Sequence, residues 1–171
     1  MVEDLEDPRR QEPPYVLGER DMLEAWLEFH RTTLMLKCEG IDDAARKRRP
    51  VPTSLLSLHG LLRHMAEVER NWFHRVLLEE PETPFIWADP VIDDIELIVD
   101  DADWPADLAA FETQCEVSRE NAAAHDLDDT GLRRGEAVSL RWIYNHMIEE
   151  YARHNGHADL LRELVDGTVG W

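Results

Sequence analysis

Apolar side chains recur every three to four residues along four long stretches of the chain. This spacing is typical of amphipathic α-helices that bury one face. Clusters of proline, glycine and acidic residues interrupt the period between the stretches. Four helices of about twenty residues, each about 30 Å long, predict an all-α four-helix bundle. The predicted bounds are about 18–37, 53 or 54 to 76, 105–125 and 139–167.

Residues with known preferences for helix ends support these bounds. Thr53 or Ser54 can cap the second helix, and Pro105 suits the first turn of the third. Ser139 is the expected cap of the fourth helix, which should close at Gly167. The fourth helix is therefore the best defined from sequence.

The length of 171 residues predicts a single domain over 1–171. Charged residues and prolines give 1–16 little to bury, so we expect an extended N-terminal arm. We expect neither a signal peptide nor a membrane span, because no apolar run is long enough. Cys38 and Cys115 are isolated, which excludes a thiolate zinc site and a thioredoxin motif and favours a reducing cytoplasm.

The formal net charge is -19, with 37 acidic residues against 18 lysines and arginines. Nucleic acid is therefore excluded as an expected partner, since phosphate binding needs concentrated positive charge. The basic run 46–49 is expected to be a solvated helix end or connection. The acidic segment 93–103 is also expected to be a solvated connection, in which 95–99 forms a short strand or a buried loop.

Three side chains that can bind metal follow one another at four-residue spacing in the last helix: His146, Glu150 and His154. Residues so spaced lie on one helix face, with Cβ atoms roughly 5 to 6 Å apart. Imidazole and carboxylate suit zinc or nickel, and an open site needs three protein ligands plus water. Two ligands could come from this helix, and His64 is the candidate for the third.

The helical stripes place these candidates relative to the core. His64 and His154 fall within the apolar stripes of their helices, and Glu150 lies one position away. A buried carboxylate is costly unless it is paired or coordinated, so an inward Glu150 calls for a cation. His146 shares the row of Glu150 and could replace it as a ligand.

Two segments carry a resemblance to a known family: LLRHMAEVERNWF at 61–73 and EYARHNGH at 150–157. The chain resembles, over its whole length, the DinB/YfiT-like superfamily of four-helix bundles. The similar branch is the N-terminal bundle of mycothiol-dependent maleylpyruvate isomerase. That family's pattern is one histidine on helix two and His-x-x-x-His or Glu-x-x-x-His on the last helix. The resemblance implies that His64, Glu150 and His154 are the metal ligands.

The same resemblance implies a chemistry. A divalent metal, zinc or nickel, would bind a low-molecular-weight thiol such as mycothiol as its thiolate. We therefore expect a metal-dependent S-transferase or isomerase acting on small molecules, with no side chain assigned as catalytic. The chain is too short for the isomerase's additional domain, so maleylpyruvate activity is not carried over. A homodimer is also expected from related bundles, although no segment identifies its interface.

The alternatives are a non-catalytic bundle that binds a metal or small ligand, and a structural bundle without metal. A closed coordination sphere that includes His146 would favour the former. His146 and His157 are expected to flank the ligands, and Trp72 to wall the pocket two turns from His64. Glu67 is expected to be solvated. The remaining histidines are expected to have no role in the site: His30, His59, His74 and His125.

Overall fold

The computed structural model describes residues 7–87, 89 and 91–169. Four long α-helices dominate these residues and form the predicted bundle, to which a short helix and a two-stranded sheet are added. A π-helical turn continues α3, and a 3-10 turn lies in the segment that follows it. The elements are α1 (Glu19–Cys38), α2 (Asp43–Lys47), α3 (Leu58–Arg70) with its π turn (Asn71–Val76), the 3-10 turn (Ile95–Leu97), α4 (Trp104–Ala123), β1 (Thr130–Arg133), β2 (Glu136–Ser139) and α5 (Leu140–Asp166).

The core lies where the apolar stripes of the four long helices meet. Helix α1 packs along α5, α3 packs along α4, and α3 also contacts α5. The stripes predicted from the 3.6-residue period supply the most deeply buried side chains. They include Leu34, Leu61, Met65, Phe111, Ile143, Met147 and Tyr151.

The helix ends confirm most of the predicted caps. Ser139 caps α5 by accepting a hydrogen bond from the Trp142 amide at 3.2 Å, and Gly167 ends the helix at a φ of 82°. The cap predicted for α3 is wrong. Ser57 accepts the hydrogen bond from the Gly60 amide at 3.0 Å, while Thr53 lies in the preceding turn at a φ of 66°. A threonine in that left-handed conformation cannot serve as an extended cap residue.

The β-hairpin between α4 and α5 was not predicted. Strands β1 and β2 pair antiparallel and are joined by Arg134 and Gly135, which have φ values of 52° and 83°. Two successive left-handed residues are typical of a type I′ hairpin turn. For 95–99, predicted as a short strand or a buried loop, the strand is wrong, because Ile95–Leu97 forms a 3-10 turn.

A buried polar network joins three of the long helices. Arg31 on α1 donates two hydrogen bonds to the Glu69 carboxylate on α3, at 2.7 and 2.6 Å. Tyr151 on α5 donates a third at 2.8 Å. Burial raises the pKa of the Tyr151 phenol, which keeps it a neutral donor. The network therefore sets the positions of α1, α3 and α5 relative to one another.

The described part of the predicted N-terminal arm packs against α1. Residues 1–6 lie outside the described residues. Arg9 forms an ion pair with Glu39 at 2.7 Å, and the Arg10 guanidinium lies 5.1 Å from the Phe29 ring centroid. None of the described helices is long and apolar enough to cross a bilayer.

Gly131 lies close against the backbone at the end of the π turn that continues α3. A Cβ at Gly131 would lie 2.0 Å from the Val76 carbonyl oxygen and 2.7 Å from the Leu77 Cα. Gly131→Ala is therefore expected to lower the free energy of unfolding by roughly 1 to 3 kcal/mol, the usual cost of overpacking. Urea unfolding measures this change in the free energy of unfolding. Gly156→Ala is the control, because a Cβ there meets no atom within 4 Å inside a helix and should stabilise by roughly 0.5 to 1 kcal/mol. An unchanged free energy of unfolding in Gly131→Ala would contradict the close contact between Gly131 and Val76.

Candidate metal and thiol site

The structure places His64 on α3 beside His154 on α5, and Glu150 lies one turn before His154 on the same helix. The ring centroids of His64 and His154 are 4.9 Å apart, and His154 Nε2 lies 3.4 Å from Glu150 Oε2. With metal–ligand distances of about 2.0 to 2.2 Å, two ligand atoms on one tetrahedral ion lie roughly 3.4 Å apart. The carboxylate and imidazole of α5 already have this separation, so these two donors fit one divalent metal ion.

Glu96 orients His64 from the segment between α3 and α4. His64 Nδ1 lies 3.1 Å from Glu96 Oε1, and this hydrogen bond lowers the pKa of the carboxyl group. A proton on Nδ1 shared with Glu96 leaves the Nε2 lone pair of His64 free for an ion. Carboxylates commonly hold metal-binding histidines in this way. The prediction that the whole acidic segment is solvated is therefore wrong at Glu96, whose side chain is only 14% exposed.

His157 stands in the corresponding position behind His154. The two Nδ1 atoms are 3.4 Å apart, so one imidazole can donate to the other. A proton on His154 Nδ1 leaves its Nε2 facing Glu150. Burial, reinforced by the nearby His64 and His157, lowers the pKa of His154 to about 4. His154 is therefore neutral near pH 7, which is the form that binds metal.

The low pKa of His154 predicts how the metal-free protein responds to acid. The unfolded chain takes up this proton near pH 6.5, whereas the folded chain takes it up near pH 4. Stability should therefore fall between these pH values, by on the order of 2 to 3 kcal/mol for this group. In His154→Gln this part of the loss should disappear. Urea unfolding of chelator-treated protein at several pH values tests the prediction, and identical pH profiles for the two proteins would contradict it.

His146 lies beside the three residues, within a group of aromatic rings. Its ring stacks on Trp142 at 4.8 Å and 18° and meets Trp72 edge-on at 4.5 Å. His146 Nε2 lies 3.4 Å from Glu150 Oε1. Trp72 thus contacts His146, and its predicted role as a wall of the His64 pocket stays a prediction.

Among the described residues, one group of three metal-capable side chains has its ligand atoms close together, and it lies on α5 alone. One ligand atom from each of His146, Glu149 and Glu150 lies within 4.8 Å of the others. The Glu149 side chain is 47% exposed and forms an ion pair with Arg153. Exposed acidic groups of this kind are common without an ion. The predicted set of His64, Glu150 and His154 instead takes one ligand from a facing helix.

Glu67 was expected to be solvated, and this is wrong. Its side chain is buried and accepts a hydrogen bond from the Trp87 amide at 2.7 Å, while burial raises its pKa. The segment that carries Glu96 thus folds back over α3. The amphipathic pattern could not reveal this, because the segment lacks a regular period.

The histidines expected to have no role in the site have other partners. His59 Nε2 lies 2.8 Å from a carboxylate oxygen of Asp107 in the core, and His74 Nε2 lies 2.9 Å from Glu80. His125 hydrogen-bonds the Asn121 carbonyl oxygen, and the His30 carbonyl oxygen accepts from Asn155.

Neither cysteine is suited to act as a nucleophile. Cys38 and Cys115 are free and buried, and burial raises the pKa of each thiol to about 12. Each is therefore a thiol at neutral pH and inaccessible to a substrate. Any reactive sulfur at this site must be supplied by a ligand.

The family comparison agrees with a thiol ligand. The family model described as mycothiol S-transferase matches residues 22–167, which include α3, α5 and the segment between them. No curated protein and no solved structure gave a significant match to the chain. A match over most of the chain shows the family, so the chain belongs to the mycothiol S-transferases of the DinB/YfiT-like superfamily.

Proposed function

We propose that this protein is a metal-dependent enzyme that joins mycothiol, through its sulfur, to a small electrophile. The observation that carries the proposal is the meeting of the His64 and His154 rings, 4.9 Å apart, beside the Glu150 carboxylate. His64, Glu150 and His154 would hold one zinc or nickel ion. When bound, the ion would supply positive charge that favours the thiolate form of the cofactor.

The side chains around these ligands have defined tasks in this proposal. Glu96 and His157 hold the Nδ1 atoms of His64 and His154, so both imidazoles present Nε2. The mycothiol thiol loses its proton to solvent, and its sulfur forms a bond to the electrophilic carbon. The leaving group departs with the electrons of the broken bond. Because Cys38 and Cys115 are buried thiols, the protein contributes no competing nucleophilic sulfur.

Two further parts of the proposal concern the setting of the enzyme. The two free cysteines suit a reducing cytoplasm. A homodimer would suit the exposed Leu160 and Leu164, which lie one turn apart on α5.

Turnover assays test the proposal. Metal-loaded protein is mixed with mycothiol and a fluorogenic bromomethyl electrophile, and conjugate formation is compared with His154→Ala and with chelator-treated protein. Wild type should form conjugate, while the variant and the chelated protein should fall to the uncatalysed rate. His74→Ala, which removes a histidine outside the site, should retain activity. Equal turnover in wild type and His154→Ala would exclude the proposed site.

A further inference from the structure

A surface depression of about 810 Å³ lies between the β-hairpin and the first turn of α5. Arg133 and Arg134 from the hairpin line it, together with Val138 and the indole of Trp142. We call it the hairpin depression. It lies outside the three proposed ligands but is connected to them by direct contacts.

Trp142 is exposed yet held in place. About 47% of it is exposed, although one face stacks on His146 and the ring lies 5.1 Å from Trp72. Tryptophan is enriched at binding interfaces, where its ring supplies a large apolar contact and its N–H a donor. An indole whose orientation is already set by neighbouring rings offers a stacking surface with little entropy left to lose.

The hairpin depression is locally positive in a chain of net charge -19. Two guanidinium groups, Arg133 and Arg134, line it against one carboxylate, Glu136. In the described part of the chain neither arginine forms a salt bridge, and the Arg133 guanidinium lies over the Trp72 ring at 4.2 Å. Its N–H groups stay available to an acceptor. Arginine binds planar carboxylates through paired hydrogen bonds.

The backbone conformation of Arg134 also supports a binding role for the hairpin. Its φ of 52° belongs to a turn position that glycine, asparagine or aspartate occupies at lower cost. An arginine there places a long cation at the tip of the hairpin. Strain kept at a turn tip is consistent with a binding role for the side chain.

The hairpin depression is also adjacent to the proposed metal ligands. Trp142 stacks on His146, His146 Nε2 lies 3.4 Å from Glu150 Oε1, and the other oxygen of Glu150 faces His154. A molecule stacked on the free face of Trp142 is therefore separated from Glu150 by the indole and one imidazole ring.

We propose that the hairpin depression binds the electrophilic co-substrate, and that this co-substrate is an aromatic carboxylate. Its carboxylate group pairs with Arg133 and Arg134, and its ring stacks on Trp142. The role as co-substrate site rests on the proposed function, whereas the binding itself can be measured without turnover.

Calorimetric titration with para-nitrobenzoate tests this site in metal-free protein, with para-nitrobenzamide as the neutral analogue. The acid should bind at least about tenfold more tightly than the amide, which is the size expected for a charge-assisted pair. Arg133→Gln and Trp142→Leu should each lower the affinity for para-nitrobenzoate. For Arg133→Gln the expected decrease is about tenfold. Arg48→Gln, which removes an exposed arginine elsewhere, should leave the affinity unchanged.

The outcomes separate this site from the metal site. Binding that survives His154→Ala but weakens in Arg133→Gln supports the hairpin depression, even if mycothiol turnover fails. Binding that needs metal and His154 but not Arg133 would place the carboxylate on the ion and overturn the proposal. Equal affinity for acid and amide, or no saturable binding at millimolar concentration, would also overturn it. Circular dichroism confirms that Arg133→Gln is folded before any loss is interpreted.

Discussion

Replacement of His154 by alanine is expected to abolish stoichiometric metal binding. The variant keeps Glu150 and His64 but loses the imidazole that faces both of them. Removing a group that only orients a ligand costs roughly 10- to 100-fold in metal affinity, so loss of a ligand should cost more. Metal analysis after reconstitution and dialysis, together with competition against a chromophoric chelator, measures the change.

Two comparisons make this result specific to the site. Glu96→Gln removes the carboxylate behind His64 and should weaken metal binding within that 10- to 100-fold range rather than abolish it. His74→Ala should bind metal as wild type does, because His74 pairs with Glu80 outside the site. Unchanged metal affinity in His154→Ala would refute the assignment and favour the grouping of His146 with Glu149 and Glu150.

Arg31→Met is expected to be among the most destabilising single substitutions in the chain. It leaves the Glu69 carboxylate buried with only the Tyr151 hydroxyl as a donor. Breaking a buried ion pair from one side costs roughly 3 to 5 kcal/mol, because the remaining charge is uncompensated. Urea unfolding should show this loss. Tyr151 directly follows the proposed ligand Glu150, so metal affinity should fall as well.

A double variant that also removes Glu69 tests whether the uncompensated carboxylate causes the loss of stability. In the double variant Arg31→Met with Glu69→Leu no buried charge remains, so the protein should recover part of the stability lost in the single variant. Arg119→Met removes a partly exposed arginine that pairs with Glu28, and should cost no more than about 1 kcal/mol. A double variant that is less stable than Arg31→Met would show that the pair stabilises the fold beyond mutual neutralisation.

The long helices were predictable because local spacing determines them. The caps of α5 at Ser139 and Gly167 follow directly from residue type. The cap of α3 could not be identified from residue type. Thr53, Ser54 and Ser57 are chemically equivalent candidates, and only backbone conformation separates them. The hairpin escaped prediction because its strands have four residues each and its turn begins with an arginine in place of the usual asparagine or glycine.

In the candidate site too, the residues on regular helices were predictable from sequence and those on irregular segments were not. Spacing on the last helix offered His146, Glu150 and His154 as candidates, the stripe of another helix offered His64, and the family resemblance selected His64, Glu150 and His154. Contacts made by irregular segments were not predictable. Glu96 lies 32 residues beyond His64, and its distance from that ring depends on how the intervening segment folds over α3. Periodicity carries no information about such a segment.

The junction between β2 and α5 contains no intervening residue, since β2 ends at Ser139 and α5 begins at Leu140. The hairpin is therefore joined directly to the first turn of the helix, and Gly131 lies close against the backbone of Val76. A connection this short restricts how far the hairpin arginines can move relative to the Trp142 ring before a ligand arrives. Such preorganisation favours discrimination by size and shape over adjustment to many substrates.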